Sequence, residues 1–265
     1  MEFLKKLPPT DRQPALFIGH GNPTNAIEDN AFTRGWRTLA AQIPRPAAIL
    51  SVSAHWLTRG VTRVTAMDRP RTIHDFAGFP KPLYEQSYPA PGAPDLARST
   101  IELVQKASLQ ADHEWGLDHG TWSVLLPMFP EADIPTFQLS IDMAKPPQWH
   151  LELARELQPL RRHGVLILAS GNLVHNLRQL VPGGTPPAWA VEFEETMVRF
   201  LDEGNLQGIV DFQQLGSVAR NAHPTVDHFL PLLYAIALKE TDEGFGYFNA
   251  GFDLGSISMR SVKIG

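Results

Sequence analysis

Apolar residues come in short continuous runs along this chain, separated by polar and proline-rich stretches. The runs ALFIG (15–19), AAILSVSA (47–54), VTRVTAM (61–67), TFQLSI (136–141), VLILAS (165–170) and SISMRSVKI (256–264) have the length of strands. Four of them are nearly unbroken, as strands buried on both faces are. Between the runs the period lengthens to that of a helix. NAFTRGWRTLAAQI (30–43) follows the cap signal Asp29-Asn30, and APDLARSTIELVQKA (93–107) sets Leu96, Thr100, Leu103 and Val104 on one face. PPQWHLELARELQPL (146–160) and AWAVEFEETMVRFLDE (188–203) are amphipathic. VDHFLPLLYAIAL (226–238) is apolar nearly all round. It reads as a buried helix that Pro231 either kinks or opens.

Strands alternating with helices predict an α/β fold. The expected architecture is a single three-layer α/β/α domain with a mixed, largely parallel central sheet. The proline-rich stretches YPAPGAP (88–94) and VPGGTPP (181–187) are too short for domain linkers, so residues 1–265 read as one domain. In such a fold ligands bind beyond the carboxyl ends of the strands.

Three histidines obey that rule. His20 follows ALFIG, His55 follows AAILSVSA, and His175 comes five residues after VLILAS. A lone histidine at a strand end is usually a hydrogen-bonding residue; three in the same topological position point to a shared metal or acid–base site. WGLDHGTW (115–122) places His119 beside Asp118 at a helix start, where it either caps or carries a proton. NAHPTVDHFLPLLY (221–234) holds His223 and His228, each readable as a core histidine or a ligand. His74, in TIHDFAGFP (72–80), lies in a loop rich in aromatic and small residues, as in a substrate lid. His113, His150 and His163 read as surface positions without a role.

Composition narrows the chemistry. The chain of 265 residues is 43% hydrophobic and 19% charged, an ordinary globule. Its net charge of −5 argues against a nucleic-acid partner. No run approaches the roughly 20 apolar residues of a membrane span, and no signal peptide is visible, so the cytoplasm is expected and no membrane partner. There is no cysteine, which excludes disulfides, thiolate metal sites and a cysteine nucleophile. With 10 histidines present, imidazole and carboxylate must hold any transition metal. There is no GxGxxG, Walker loop, HExxH or GxSxG, so Ser170 in SGN lacks the setting of a nucleophile.

The set GHGNP, SAHW, TIHDFAGFP, DHG, SGNLVHNL and DHFLPLLY, with the closing GSISMRSVKIG, resembles the DODA-type extradiol ring-opening dioxygenases. These are the 4,5-DOPA dioxygenase group of the class III, LigB-like superfamily. The resemblance implies a cytoplasmic oxidoreductase with one divalent metal ion per chain. By position, His20, His55 and His228 would be metal ligands. His175 would lie beside or on the metal as a catalytic base, and His119 would be a second acid–base histidine. The substrates implied are O2 and DOPA or a related catechol. Many class III enzymes hold Fe(II) with two histidines and a glutamate; here His228 stands where no glutamate is found. A histidine site also suits zinc, so Zn(II) is expected as isolated and Fe(II) for ring cleavage. Asp118 and Asp227 are expected to orient ligating imidazoles. Phe76 and Phe79 are expected to hold the aromatic ring. The rival readings are a zinc-dependent hydrolase using the same ligands, and a non-catalytic binding protein on the same fold.

Overall fold

Six strands build the central sheet of the computed structural model, which describes residues 10–265. They are β1 (Ala15–Gly19), β2 (Ala48–Ser53), β3 (Thr136–Gln138), β4 (Val165–Gly171), β5 (Phe245–Phe248) and β6 (Ser261–Ile264). Their spatial order is β3-β2-β4-β1-β6-β5. The first four run parallel, so their carboxyl ends share one edge. β6 pairs antiparallel with β1 and with β5, making the sheet mixed.

Side chains alternate across a strand, so each central strand feeds two cores. Ala15, Phe17, Leu50, Ile167 and Ala169 face one core; Leu16, Ile18, Ile49, Leu166 and Leu168 face the other. Both faces being covered explains why these strands read as unbroken apolar runs. The first core packs under α2 (Pro94–Leu103), α4 (Pro147–Arg155), α5 (Ala188–Asp202) and α6 (Leu230–Ile236). The second packs under α1 (Ala31–Gln42) and α3 (His119–Met128), through Trp36, Leu39, Trp122 and Leu125. The result is the expected three-layer α/β/α arrangement.

Local differences from the expected elements have identifiable causes. VTRVTAM is a strand only over Arg63–Thr65, and it pairs with Gln110–Asp112 outside the central sheet. A single bridge from Val64 to Leu139 ties it to the end of β3. SISMRSVKI divides into Ile257–Ser258, which pairs with Phe252–Asp253, and β6. The break falls at Met259-Arg260, where the Met259 N–H turns away to the Gly251 carbonyl. The helix expected over 146–160 stops at Arg155 and resumes as Gln158–Arg161. Pro159 has no N–H to give the Arg155 carbonyl, so the helix cannot run through. Pro231 sits in the first turn of α6 rather than kinking it. Asp227 and His228 therefore lie ahead of the helix, in a turn that reaches the sheet edge.

Candidate metal centre

Five histidines, His20, His55, His119, His175 and His228, line one cavity of about 380 Å³ at the carboxyl edge of the parallel strands. β1 ends directly into His20, whose N–H extends the ladder to the Gly171 carbonyl at 3.1 Å. Gly21 then turns the chain at φ +60°, which a side chain would resist. β2 ends two residues before His55, whose N–H rests on Ser53 Oγ at 3.2 Å. His119 is the first residue of α3, with Asp118 as its N-cap. Gly120 is required beside it, because a Cβ there would meet His55 Cδ2 at 2.8 Å.

The ligand atoms of His20, His55 and His228 all lie within 4.8 Å of one another. Their outer nitrogens face oxygen. His20 Nδ1 meets Ser170 Oγ at 2.9 Å, and that hydroxyl donates to the Gly120 carbonyl at 2.5 Å. Ser170 has no second proton, so it accepts from His20, and His20 Nε2 keeps its lone pair. His228 Nδ1 donates to Asp227 Oδ2 at 2.6 Å, again freeing Nε2. His55 Nδ1 lies 3.5 Å from Asp75 Oδ2. The consequence is that Nε2 of His20 and Nε2 of His55 face each other at 3.3 Å. Ring nitrogens stand at that distance either when one donates to the other or when both turn to a shared cation. Two nitrogens on one metal at about 2.05 Å and a tetrahedral angle stand roughly 3.3 Å apart. The donor set therefore fits a metal ion.

Protonation agrees with that role. Burial, followed by the neighbouring imidazoles, holds His20 and His228 well below the ordinary histidine value. Burial and then His119 push His55 down to about 3. Burial lowers His175 to about 4. All four are neutral at pH 7, as a ligand or a base must be.

His175 lies flat against the His228 ring, with centroids 3.4 Å apart and planes 3° apart. It is outside the converging group of three among the described residues. Its backbone N–H is held by the Ala222 carbonyl at 2.9 Å. Phe76 and Phe79 form one wall of the cavity, as expected, and Leu177, Leu180, Leu254 and Ile257 form the other.

The remaining expectations divide. Asp227 does hold the imidazole of His228. Asp118 accepts no hydrogen bond from an imidazole; it takes hydrogen bonds from Ser53, Gln138 and Thr121 and reaches His55 through Ser53. Burial and then the charge of Asp75 raise its pKa. His74 points away from the cavity to the Gln86 carbonyl, 3.1 Å from Nε2, among Phe76, Tyr84 and Trp122. His223 is a core histidine, bonded to the Leu173 carbonyl at 2.8 Å and ringed by Phe193, Phe212 and Phe229. His150 is buried rather than at the surface, against the Tyr234 hydroxyl at 2.8 Å. Two site residues escaped the sequence. Ser170 in SGN shows no nucleophile motif and gives no sign of holding an imidazole, and Asp75 is one polar residue inside the aromatic loop TIHDFAGFP.

Residues 14–251 match the family model described as the catalytic LigB subunit of aromatic ring-opening dioxygenase. The chain belongs to the LigB family. Its activity class is extradiol aromatic ring opening. An Escherichia coli K12 protein named 4,5-DOPA dioxygenase extradiol is 48% identical, over 96% of this chain and 95% of that one. A Beta vulgaris protein of the same name is 35% identical, over 94% and 95%. The crystal structure of an uncharacterized Escherichia coli K12 protein superposes with a TM-score of 0.84 at 43% identity, covering 96% of this chain and all of that one. LigB dioxygenases use a metal, and among the described residues two groups could hold one: His20 with His55 and His228, and His55 with Asp75 and His119. The hydrolase and binding-protein readings find no support in these comparisons. Among the described residues, no helix is long and apolar enough to cross a membrane.

Proposed function

We propose that this LigB dioxygenase cleaves DOPA or a related catechol between positions 4 and 5. In this reading residues 1–265 act as one catalytic domain in the cytoplasm. His20, His55 and His228 hold one divalent ion, Fe(II) in the working enzyme and Zn(II) as isolated. The observation that carries it is the convergence of the His20, His55 and His228 ligand atoms, within 4.8 Å of one another, in a cavity with apolar lining. The name shared by the Escherichia coli and Beta vulgaris relatives supports the substrate class.

When bound, the metal acidifies the catechol hydroxyls and gives O2 its site of reaction. The chain's own residues do the rest. His175, neutral on arrival, takes a catechol proton: the O–H bond breaks and an imidazole N–H forms. His119 handles the second proton and returns it as the ring opens. Phe76 and Phe79 seat the ring, and the leucines opposite exclude water. Asp227 and Ser170 keep the ligating nitrogens unprotonated.

The test is anaerobic loading with Fe(II), followed by a catechol panel in air and under nitrogen. A yellow ring-opened product should form in air only, with one O2 consumed per catechol, and zinc-loaded protein should be silent. Equal conversion without O2 would overturn the proposal. The panel includes a catechol without a carboxylate, because among the described residues no lysine or arginine lines the cavity.

A further inference from the structure

Asp75 occupies a position that the mechanism above leaves unused. It lies on the loop 74–79, outside any helix or strand, yet its side chain turns inward and is only 19% exposed. Oδ1 accepts the backbone N–H of His119 at 2.9 Å. Oδ2 lies 3.0 Å from Nδ1 of the same histidine and 3.5 Å from Nδ1 of His55. His119 Nδ1 is buried, and at this ring angle no aligned hydrogen bond reaches it. The 3.0 Å contact is thus close but off-line. Catalytic hydrogen bonds are commonly loose before substrate binds.

Two features make this arrangement specific. Because Oδ1 is tied to the backbone of His119, Oδ2 is held at one place relative to that residue's ring. The carboxylate also sits at the first turn of α3, where negative charge is favoured. A carboxylate has no proton to give, so whichever imidazole nitrogen it faces must carry the hydrogen.

We infer that Asp75 is the positioning residue of His119, fixing the Nδ1–H tautomer so that Nε2 is the nitrogen that exchanges protons in the cavity. The inference rests on the proposed ring-opening function and adds a residue to it. The step is a proton transfer: a substrate O–H breaks, the His119 Nε2–H forms, and the resulting imidazolium lies against the Asp75 carboxylate. The same proton later leaves Nε2 for the opened product, restoring the neutral ring. Phe76 follows Asp75 in the chain, and its ring stands edge-on to His119 with centroids 5.5 Å apart. One short loop thus supplies both the wall that seats the substrate and the carboxylate that sets the tautomer.

Asp75→Asn is the deciding variant. Its carboxamide oxygen can still accept the His119 backbone N–H, while its NH2 group replaces Oδ2. A donor facing Nδ1 forces the hydrogen to Nε2, the wrong-tautomer logic known from catalytic triads. Long-range proton–nitrogen NMR of the imidazoles, on zinc-loaded protein and assigned with His119→Gln, reads the tautomer directly. The expected result is Nδ1–H in the wild type and Nε2–H in Asp75→Asn. With Fe(II), kcat should fall by about 100-fold or more while the half-saturating catechol concentration changes by less than about threefold. Asp75→Ala, which removes the acceptor without adding a donor, should give a tautomer mixture and serves if the Asn variant does not fold. A wild-type His119 carrying its hydrogen on Nε2, or an unchanged tautomer in Asp75→Asn, would overturn the inference. Absence of catechol turnover in the wild type would instead defeat the proposed function, with the spectra still deciding the tautomer.

Discussion

Ser170 Oγ accepts the Nδ1–H of His20 at 2.9 Å because its own proton is committed to the Gly120 carbonyl. The relationship follows from sheet register. β1 and β4 run parallel with Ile18 opposite Ser170, so the residue two beyond Ile18 can lean onto that hydroxyl. It fixes the His20 tautomer with an uncharged group in a buried place.

Ser170→Ala removes the acceptor and frees the His20 ring to rotate and to take either tautomer. Metal affinity should fall by about 10- to 100-fold. Competition with a chelator measures it, and an unchanged melting temperature of the metal-free protein shows that the fold survives. An affinity equal to wild type would contradict the assigned role of Ser170.

His20→Ala and His55→Ala each delete one of the two facing Nε2 atoms. Either substitution should abolish stoichiometric metal binding and leave the α/β fold intact. Metal analysis with circular dichroism of the purified variants checks both points. A full equivalent of metal in either variant would remove that histidine from the ligand set.

His175→Ala should separate proton handling from metal binding. The three converging imidazoles remain, so about one equivalent of metal should be retained. Ring opening by the Fe(II)-loaded variant should drop by about 100- to 10,000-fold, followed through product absorbance. Loss of the metal along with activity would instead make His175 a fourth ligand.

Acid should destabilise the metal-free protein before its carboxylates titrate. Burial lowers His150 and His223 from an ordinary value near 6.5 to about 4. Between those two values the unfolded chain binds protons that the folded chain refuses, so stability is complete above about 6.5 and is lost as pH falls towards 4. Each ring contributes up to about 3 kcal/mol across that window. Denaturant midpoints from pH 7.5 to 4.5 should decline, and His150→Asn should flatten part of the slope. A level profile in the wild type would refute the burial of neutral rings.

Much of the site was legible because it depends on local order. A run of apolar residues followed at once by histidine marks the end of a buried strand, and His20 and His55 both carry that mark. The pairing Asp227-His228 was likewise visible, since neighbours in sequence can bond when a turn permits. His150 misled for the opposite reason. It lies on an amphipathic helix, and whether its position faces water depends on α6, whose Tyr234 hydroxyl meets it from 84 residues away.

The sequence alone determined the alternation of strands and helices, the covered central sheet and the strand ends on which two of the cavity's histidines stand, because periodicity and chain order specify these. Only the tertiary structure decided which atoms converge. Strand order 3-2-4-1 brings residues 20, 55 and 170 to one edge, the turn ahead of α6 docks residue 228 there, and no pattern within a short window encodes that adjacency. The loop that carries Asp75 shows the same limit. Its residues look like a turn, and it gains its chemistry only where α3 presents a backbone N–H and an imidazole to the same carboxylate.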